Sequence, residues 1–267
     1  MTIRSPHPVW WAMIRAAMYR LRIYRTGLLF WLLTSMMRLF LLRTIWSAVY
    51  GERDSLEGIG SESLLVYLTI SALHTTIMPN DIAGEMEERN STGRVAADLV
   101  RPFGLMKQMV AIQLGSTLGY IPIFLFAIPI AMLIGSLTLP SPANFAAYIA
   151  SFVLAYVVSM LIWMLVGLAG FWLLNIGALL GLMFVVSNLL SGALVPLWFM
   201  PDALRFVLEW LPFQAVTFLP ASIFAGETTG SAIVRPLAVQ VIWIGILLVL
   251  IRWAWDRAQR KLVIQGG

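Results

Sequence analysis

Long apolar runs dominate the chain, and short polar clusters separate them. Six runs approach the roughly 20 residues that a membrane-spanning helix needs. They are residues 27–49, 64–78, 109–134, 145–168, 171–194 and 233–251. The second run is short, and only the glycines within 167–170 interrupt the chain between the fourth and the fifth. The pattern therefore predicts an all-α integral membrane protein with six transmembrane helices and a tight cytoplasmic turn at 167–170.

The segment before the first run has a different pattern. Residues 9–25 place Trp10 and Trp11 on one helical face and Arg15 and Arg20 on the opposite face. A basic amphipathic helix of this kind lies in the headgroup plane of a membrane. The sequence therefore predicts an N-terminal interfacial helix at 9–25.

Residues 196–220 combine many aromatic side chains with four prolines and three charged residues. Proline removes a backbone donor, and unpaired backbone groups cannot face lipid. Short helical pieces that dip into the outer leaflet satisfy both constraints. One piece is expected to begin at Asp202, because a negative charge is favourable at a helix N-terminus.

The longest polar insert is residues 79–107, between the second and third runs. It carries both signs of charge, and Gly93 can end one short helix before a second begins. Such an insert can be a solvated loop or a docking surface for a cytoplasmic partner. No internal repeat is visible, so residues 1–267 are interpreted as a single transmembrane domain.

Composition agrees with a lipid-facing exterior. Hydrophobic residues make up 60% of the chain and charged residues only 12%, against about 25% charged in ordinary soluble domains. Thirteen of the eighteen arginines and lysines fall on the N-terminal side of the predicted membrane, three fall on the other side, and Arg38 and Arg43 lie within the first span. By the positive-inside rule both termini are cytoplasmic, and the basic charge needs no nucleic-acid partner.

The search for catalytic chemistry gives no candidate. The chain has no cysteine and no phosphate-binding loop, and none of its acidic residues falls within a predicted span. An intramembrane enzyme would need paired carboxylates, a metal cluster or an activated nucleophile. We therefore expect no catalytic residue, no metal site and no cofactor on this chain.

Arg38 is the strongest candidate for a functional residue inside the membrane. It lies near the middle of the first span, where a charge is costly, and Thr34 and Ser35 share its helical face. This face can line a substrate path or hold a structural hydrogen bond, and the sequence leaves both open. His74 is a second candidate, as a proton relay or as a hydrogen-bonded packing residue.

Four stretches, in chain order, carry a family resemblance. Residues 92–102 resemble the "G…LLRP" signature of ABC-2 type permeases, in a branch once catalogued as a family of unknown function, with Val100 where leucine is usual. Residues 191–197, then 211–213 with Pro220, resemble the region after the fifth span of that family. Residues 264–267, Ile-Gln-Gly-Gly, resemble its usual C-terminus.

The resemblance implies an architecture and a set of partners. Such permeases have six spans, an N-terminal interfacial helix, a cytoplasmic coupling helix between spans two and three, and short re-entrant helices before span six. They pair with a second permease, more often a different one than a second copy. Two copies of a separate ATPase, which holds the ATP and Mg²⁺, drive them. Their place is the bacterial inner membrane.

The sequence therefore predicts the permease subunit of an ATP-driven exporter. Its substrate is expected to be hydrophobic or amphipathic: a drug or antibiotic, a lipophilic cation, or a lipid-like molecule. The ATPase is expected to dock on 79–107, through residues such as Glu85, Glu87, Glu88, Arg94 and Arg101. The alternatives are a structural or regulatory subunit that transports nothing and a self-sufficient secondary transporter.

The predicted orientation can be tested by single-cysteine labelling, because the chain has no cysteine of its own. A cysteine at Asp54 or Glu227 should react with a membrane-impermeant reagent added to intact cells. A cysteine at Asn90 or Gln259 should react only after the cells are opened. Labelling of Asn90→Cys in intact cells would overturn the orientation.

Overall fold

The computed structural model describes residues 7–23, 25–78, 81–99, 103–173 and 175–265. Within these ranges the chain is almost entirely helical, with one small hairpin of β1 (Ser55–Leu56) and β2 (Ile59–Gly60). The helices are α1 (His7–Ile23), α2 (Arg25–Tyr50), α3 (Ser61–Ile77), α4 (Asp81–Ser91), α5 (Arg94–Leu99), α6 (Leu105–Ile134), α7 (Pro142–Leu168), α8 (Gly177–Leu190), α9 (Asp202–Glu209), α10 (Phe218–Phe224) and α11 (Val234–Gln265). Arg101 and residues 266–267, used in the predictions above, lie outside the described ranges.

Four helices are long and apolar enough to cross a membrane. Helices α2, α6, α7 and α11 contain 26, 30, 27 and 32 residues. At about 1.5 Å per residue each exceeds the roughly 30 Å hydrocarbon layer of a bilayer. The helices predicted at the first, third, fourth and sixth apolar runs are therefore confirmed.

The second and fifth predicted spans are shorter. Helix α3 has 17 residues and α8 has 14, which is about 26 and 21 Å. Helix α9 and the segment Pro212–Phe224 together have a spanning composition, but they are bent by 73°. Length and composition thus give four spanning helices in the described residues, or five if the bent pair counts as one span. The predicted number of six is not reached on this measure.

The fifth predicted helix begins later than its apolar run suggests. Helix α7 ends at Leu168, and a 3-10 turn follows at Ala169–Phe171, where the tight turn was predicted. Hydropathy counts Trp172 and Leu173 as spanning residues, but the turn takes up this part of the chain. Helix α8 starts only after Asn175, whose side-chain oxygen accepts a hydrogen bond from the Gly177 amide at 2.7 Å.

Helix α3 lies in the middle of the bundle. Eleven of its seventeen residues are buried, and it packs against α2, α6 and α10. The buried Tyr67 hydroxyl donates to the Gly192 carbonyl at 2.9 Å. Gly192 has a φ of +80°, and a Cβ there would lie 2.8 Å from the Tyr67 hydroxyl. Only glycine fits this backbone turn, which follows directly after Ser191, the residue at the end of α8.

The proline-rich segment 196–220 forms short helical pieces, as its sequence predicts. They are a 3-10 turn at Leu197–Phe199, α9, a 3-10 turn at Pro212–Ala215 and the start of α10. Helix α9 begins at Asp202, directly after Pro201. Its depth in a membrane stays a prediction.

Helix α1 is held against α6. Ile14 and Ala17 are buried, and a Cβ on Gly115 of α6 would lie 2.7 Å from the Ala17 Cβ. The Trp10 ring meets Phe103 edge to face, with centroids 5.6 Å apart. Trp10 and Ile14 of the predicted apolar face are thus used for packing, whereas Trp11 is exposed. The placement of α1 in the headgroup plane stays a prediction.

Candidate functional site

Arg38 lies near the middle of α2 and joins that helix to α8. Its Nη1 donates to the side-chain oxygen of Asn188 at 2.9 Å, and its Nη2 donates to the Ala193 carbonyl at 3.0 Å. Both partners are neutral. The buried Nε has no hydrogen-bond partner. The side chain is therefore only partly satisfied, which is costly for a buried charged group.

A cavity of about 420 Å³ opens beside Arg38. Helices α2, α3, α7 and α8 and the segment after α8 form its walls. The structure places Thr34, Ser35 and Arg38 around this one cavity, as the shared helical face indicated. The Thr34 hydroxyl already donates to carbonyls of its own helix, Phe30 and Trp31. Thr34 therefore contributes the shape of its side chain to the cavity wall rather than a free hydrogen-bond donor.

Sequence reasoning missed the polar wall opposite Arg38. Ser187 and Asn188 on α8, Ser159 on α7 and Thr217 near α10 also line the cavity. A pair of adjacent polar residues inside the apolar run 171–194 was the available signal. Aromatic side chains complete the lining, with Trp31, Trp163, Phe184 and Phe213 among them.

His74 is separated from this cavity. Its Nε2 is 3.0 Å from the Tyr148 hydroxyl, and the two rings stack with centroids 5.6 Å apart. The residues of α3 that reach the cavity are Thr75 and Met78 instead. The structure thus places His74 in an aromatic cluster with α7, and it does not bring it together with Arg38.

Helices α4 and α5 are held by a network of charges. Arg89 donates to Glu85 at 2.9 Å and to Asp98 at 2.6 Å, and Arg20 of α1 donates to Glu85 at 2.8 Å. The Glu85 and Asp98 side chains are only 8% and 4% exposed. Burial alone would raise the pKa of Glu85, but hydrogen bonds from Arg20 and Arg89 outweigh it and hold the pKa below its usual value.

The predicted docking residues fall into two groups. Glu88 and Arg94 pair with each other and stay more than half exposed. Glu85 is buried in the network, and Glu87 accepts a hydrogen bond from the Ile176 amide at 3.0 Å. Ile176 directly precedes α8, so Glu87 ties α4 to the start of that helix. Arg101 lies outside the described residues.

Helix α4 also packs tightly on the C-terminal end of α7. A Cβ on Gly167 would lie 2.8 Å from the Met86 sulfur and 3.0 Å from the Ala83 Cα. The Asn90 side chain donates to the Gly170 carbonyl at 2.6 Å. A position at Asn90 is therefore less open to labelling reagents than the exposed Gln259. Because α4 contacts both elements, a movement of α4 would displace the end of α7 and the start of α8.

A second cavity, of about 520 Å³, lies between α4 and the Arg38 cavity. Asp81, Glu85, Glu88 and Arg20 line its outer part. Trp163 and Phe184 line both cavities. These two aromatic side chains form the boundary between a charged chamber and the Arg38 cavity.

A family model described as "ABC-2 family transporter protein" matches residues 32–266. The chain belongs to the ABC-2 transporter family. A comparison with curated proteins returned no match. The matched range contains α4, the bent segment before α11 and every described residue of the cavity lining except Trp31, and α1 lies before it.

As an ABC-2 family member, the chain is a multi-pass membrane protein and a transport subunit that is not itself catalytic. Membership also implies association with an ABC ATPase. Within this transport subunit, α4 contacts the end of α7 directly and, through Glu87, the residue that precedes α8.

The buried carboxylate of Glu85 should be the main stabilising charge of the α4–α5 region. Glu85→Gln leaves Arg20 and Arg89 without their shared partner and should lower the stability by about 2 kcal/mol. The control Glu88→Gln removes an exposed pair and should cost little. Thermal unfolding in detergent, followed by tryptophan fluorescence, measures both.

The pH dependence of this effect has a defined sign. Because the folded-state pKa of Glu85 is lowered, its stabilisation is present above the unfolded value of about 4.3 and is lost as the pH falls through the folded value. The difference between the native chain and Glu85→Gln should therefore be full at neutral pH and shrink in acid. An equal difference at every pH would contradict the ion-pair account.

Proposed function

We propose that this chain is the permease subunit of an ATP-driven exporter and that the Arg38 cavity receives its substrate. The observation that carries the proposal is the hydrogen bond between Glu87 on α4 and the Ile176 amide at the start of α8. It connects the cytoplasmic face to a helix that lines the cavity. A partner that moves α4 would thereby change the cavity wall.

The exposed surface of α4 and α5 is the proposed ATPase contact. Glu88 and Arg94 present opposite charges there, and both are accessible. Exposed charges at the rim of an interface set specificity and association rate more than affinity. Glu85 and Glu87 are assigned to the permease interior, where they hold α4 to its neighbours.

Helix α8 is suited to be the moving element. None of its residues is buried, although most are apolar. Few buried contacts mean that a local shift of this helix costs little free energy. Its two ends are tied, by Glu87 at the start and by the bond between Asn188 and Arg38 near the end. A displacement of α4 would thus be carried along α8 to Arg38.

The full assembly in this proposal has six spans, with α3 and α8 as the short second and fifth. The bent pair of α9 and Pro212–Phe224 is a re-entrant segment, which its 73° bend supports. Two permeases, which we propose to be different chains, bind two ATPase subunits that hold the ATP and Mg²⁺. Both termini face the cytoplasm of a bacterial cell, and the membrane is the inner one.

The proposed transport cycle couples ATP to the cavity by differential contact. ATP binding closes the ATPase dimer, and the closed dimer prefers one position of α4 over the other. The energy available for the switch equals this difference in affinity. The hydrophobic and amphipathic lining of the cavity indicates the class of molecule that it exports.

The proposal is tested by separating docking from transmission. The permease is co-purified with candidate ABC ATPases, and ATPase association, ATP hydrolysis and substrate efflux are measured together. Arg94→Glu should weaken association several-fold, because it repels Glu88 and any acidic partner. Glu87→Ala should leave association intact but lower efflux about tenfold, since α8 loses its link to α4.

Arg260→Glu is the matched control, an exposed arginine on the cytoplasmic part of α11 that the proposal leaves out of the docking surface. It should change neither association nor efflux. Normal association and efflux in both Arg94→Glu and Glu87→Ala would refute this coupling route. Efflux without any ATPase would favour a secondary transporter, and ATPase association without efflux would favour a structural subunit.

A further inference from the structure

The described lining of the Arg38 cavity carries positive charge and no negative charge. All thirteen acidic residues of the chain lie within the described ranges, and none of them lines this cavity. Arg38 is the one formally charged residue among the described residues of its lining. The cavity therefore holds a positive charge with no carboxylate to neutralise it.

The hydrogen bonds of Arg38 leave this charge uncompensated. A guanidinium has five N–H donors, and the two partners at Asn188 and Ala193 are both neutral oxygens. The buried Nε has no partner. The buried hydroxyl of Ser187, next to Asn188 in the same cavity wall, has none either. These two donors are enclosed by protein, but Nη1 and Nη2 of Arg38 each carry a second N–H, which is available to an acceptor that enters the cavity.

The remaining lining suits the apolar part of a ligand. Trp31, Phe184, Val185 and Phe213 line the same cavity as Arg38. A cavity of about 420 Å³ is within the size range of small-molecule sites, which are mostly apolar with a few placed polar groups. An anionic head at Arg38 would leave its chain against these side chains.

We infer that the Arg38 cavity selects anionic amphiphiles, molecules with a single carboxylate or phosphate head and an apolar chain, over cationic ones. The inference rests on the proposed function and narrows its substrate class. A lipophilic cation is disfavoured here, because it would place its charge beside an unneutralised guanidinium in a site of low dielectric constant. An anion gains charge-assisted hydrogen bonds at the same place.

The charge of the neighbouring cytoplasmic cavity is mainly negative. It is lined by the carboxylates of Asp81, Glu85 and Glu88 and by Arg20. A cation is expected to prefer that chamber, and an anion the Arg38 cavity. The two cavities share Trp163 and Phe184, so a test must report on a residue that belongs to one cavity alone. Trp31 meets this need.

Binding is measured on the purified full chain in nanodiscs of zwitterionic phosphatidylcholine, without any ATPase. The probes are palmitate and hexadecyltrimethylammonium, each with a nitroxide on its chain that quenches nearby tryptophans. Palmitate should bind at least tenfold more tightly than the cation, and Trp31→Phe should remove a large part of its quenching. Equal affinity for both probes, or a preference for the cation, would overturn the inference.

Arginine variants assign the preference to one side chain. Arg38→Met should weaken palmitate binding about tenfold. Arg43→Met should not, because Arg43 on the same helix bonds to the Ile134 carbonyl and does not line the cavity. Arg38→Lys keeps the charge and should restore most of the affinity.

Asn188→Asp is a second variant for the same test, chosen because it is expected to fold. It keeps an acceptor for Arg38 and adds a negative charge beside the guanidinium, so it should fold and yet lose the preference for palmitate. An unchanged preference in Asn188→Asp would mean that Arg38 has only a structural role. Phosphatidylglycerol added to the nanodiscs separates two ligand sources: competition with palmitate indicates a phospholipid ligand, and its absence indicates a free fatty acid.

Failure of this inference and failure of the proposed function can be distinguished. Selective palmitate binding without ATP-linked efflux would preserve the anionic site and remove the exporter assignment. ATP-linked efflux from a cavity that prefers the cation would preserve the exporter assignment and remove the anionic site.

Discussion

The bond between Arg38 and Asn188 is the interaction on which the membrane part of the site depends. A guanidinium in the middle of an apolar helix cannot face lipid without a large cost in free energy, so it must find polar partners inside the protein. Asn188 and the Ala193 carbonyl supply two of them, from a helix and a turn that come 150 and 155 positions later. The cavity lies beside these groups, and hydroxyl and aromatic side chains continue its wall.

Helix α4 is firmly held by its neighbours, whereas α8 is loosely held. Helix α4 is fixed by a half-exposed ion pair to α1, by a buried ion pair to α5 and by close packing on Gly167 of α7. Helix α8 has no buried residue, and Glu87 joins it to α4. A rigid helix that holds one end of a loosely packed helix can transmit a displacement with little loss. This arrangement suits a subunit whose family works with a separate ATPase.

Local patterns predicted much of this structure. The four long helices follow from hydropathy, the short pieces of 196–220 follow from their prolines, and the shared face of Thr34, Ser35 and Arg38 follows from helical spacing. The start of α8 was misplaced, because hydropathy cannot see that the turn at Ala169–Phe171 consumes apolar residues. Asn188 was missed because its partner is distant in sequence. Charge alone could not show that Glu85 and Glu87 face inward while Glu88 and Arg94 stay exposed.

The central claim is that the Arg38 cavity changes its access when the ATPase binds ATP. A single cysteine at Ser35, a half-buried residue of the cavity lining, can be labelled with an impermeant reagent in the reconstituted permease–ATPase complex. Without nucleotide, the label should arrive from the cytoplasmic side; with ATP trapped on the ATPase, it should arrive from the outer side. The same accessibility from the same side in both states would contradict the account.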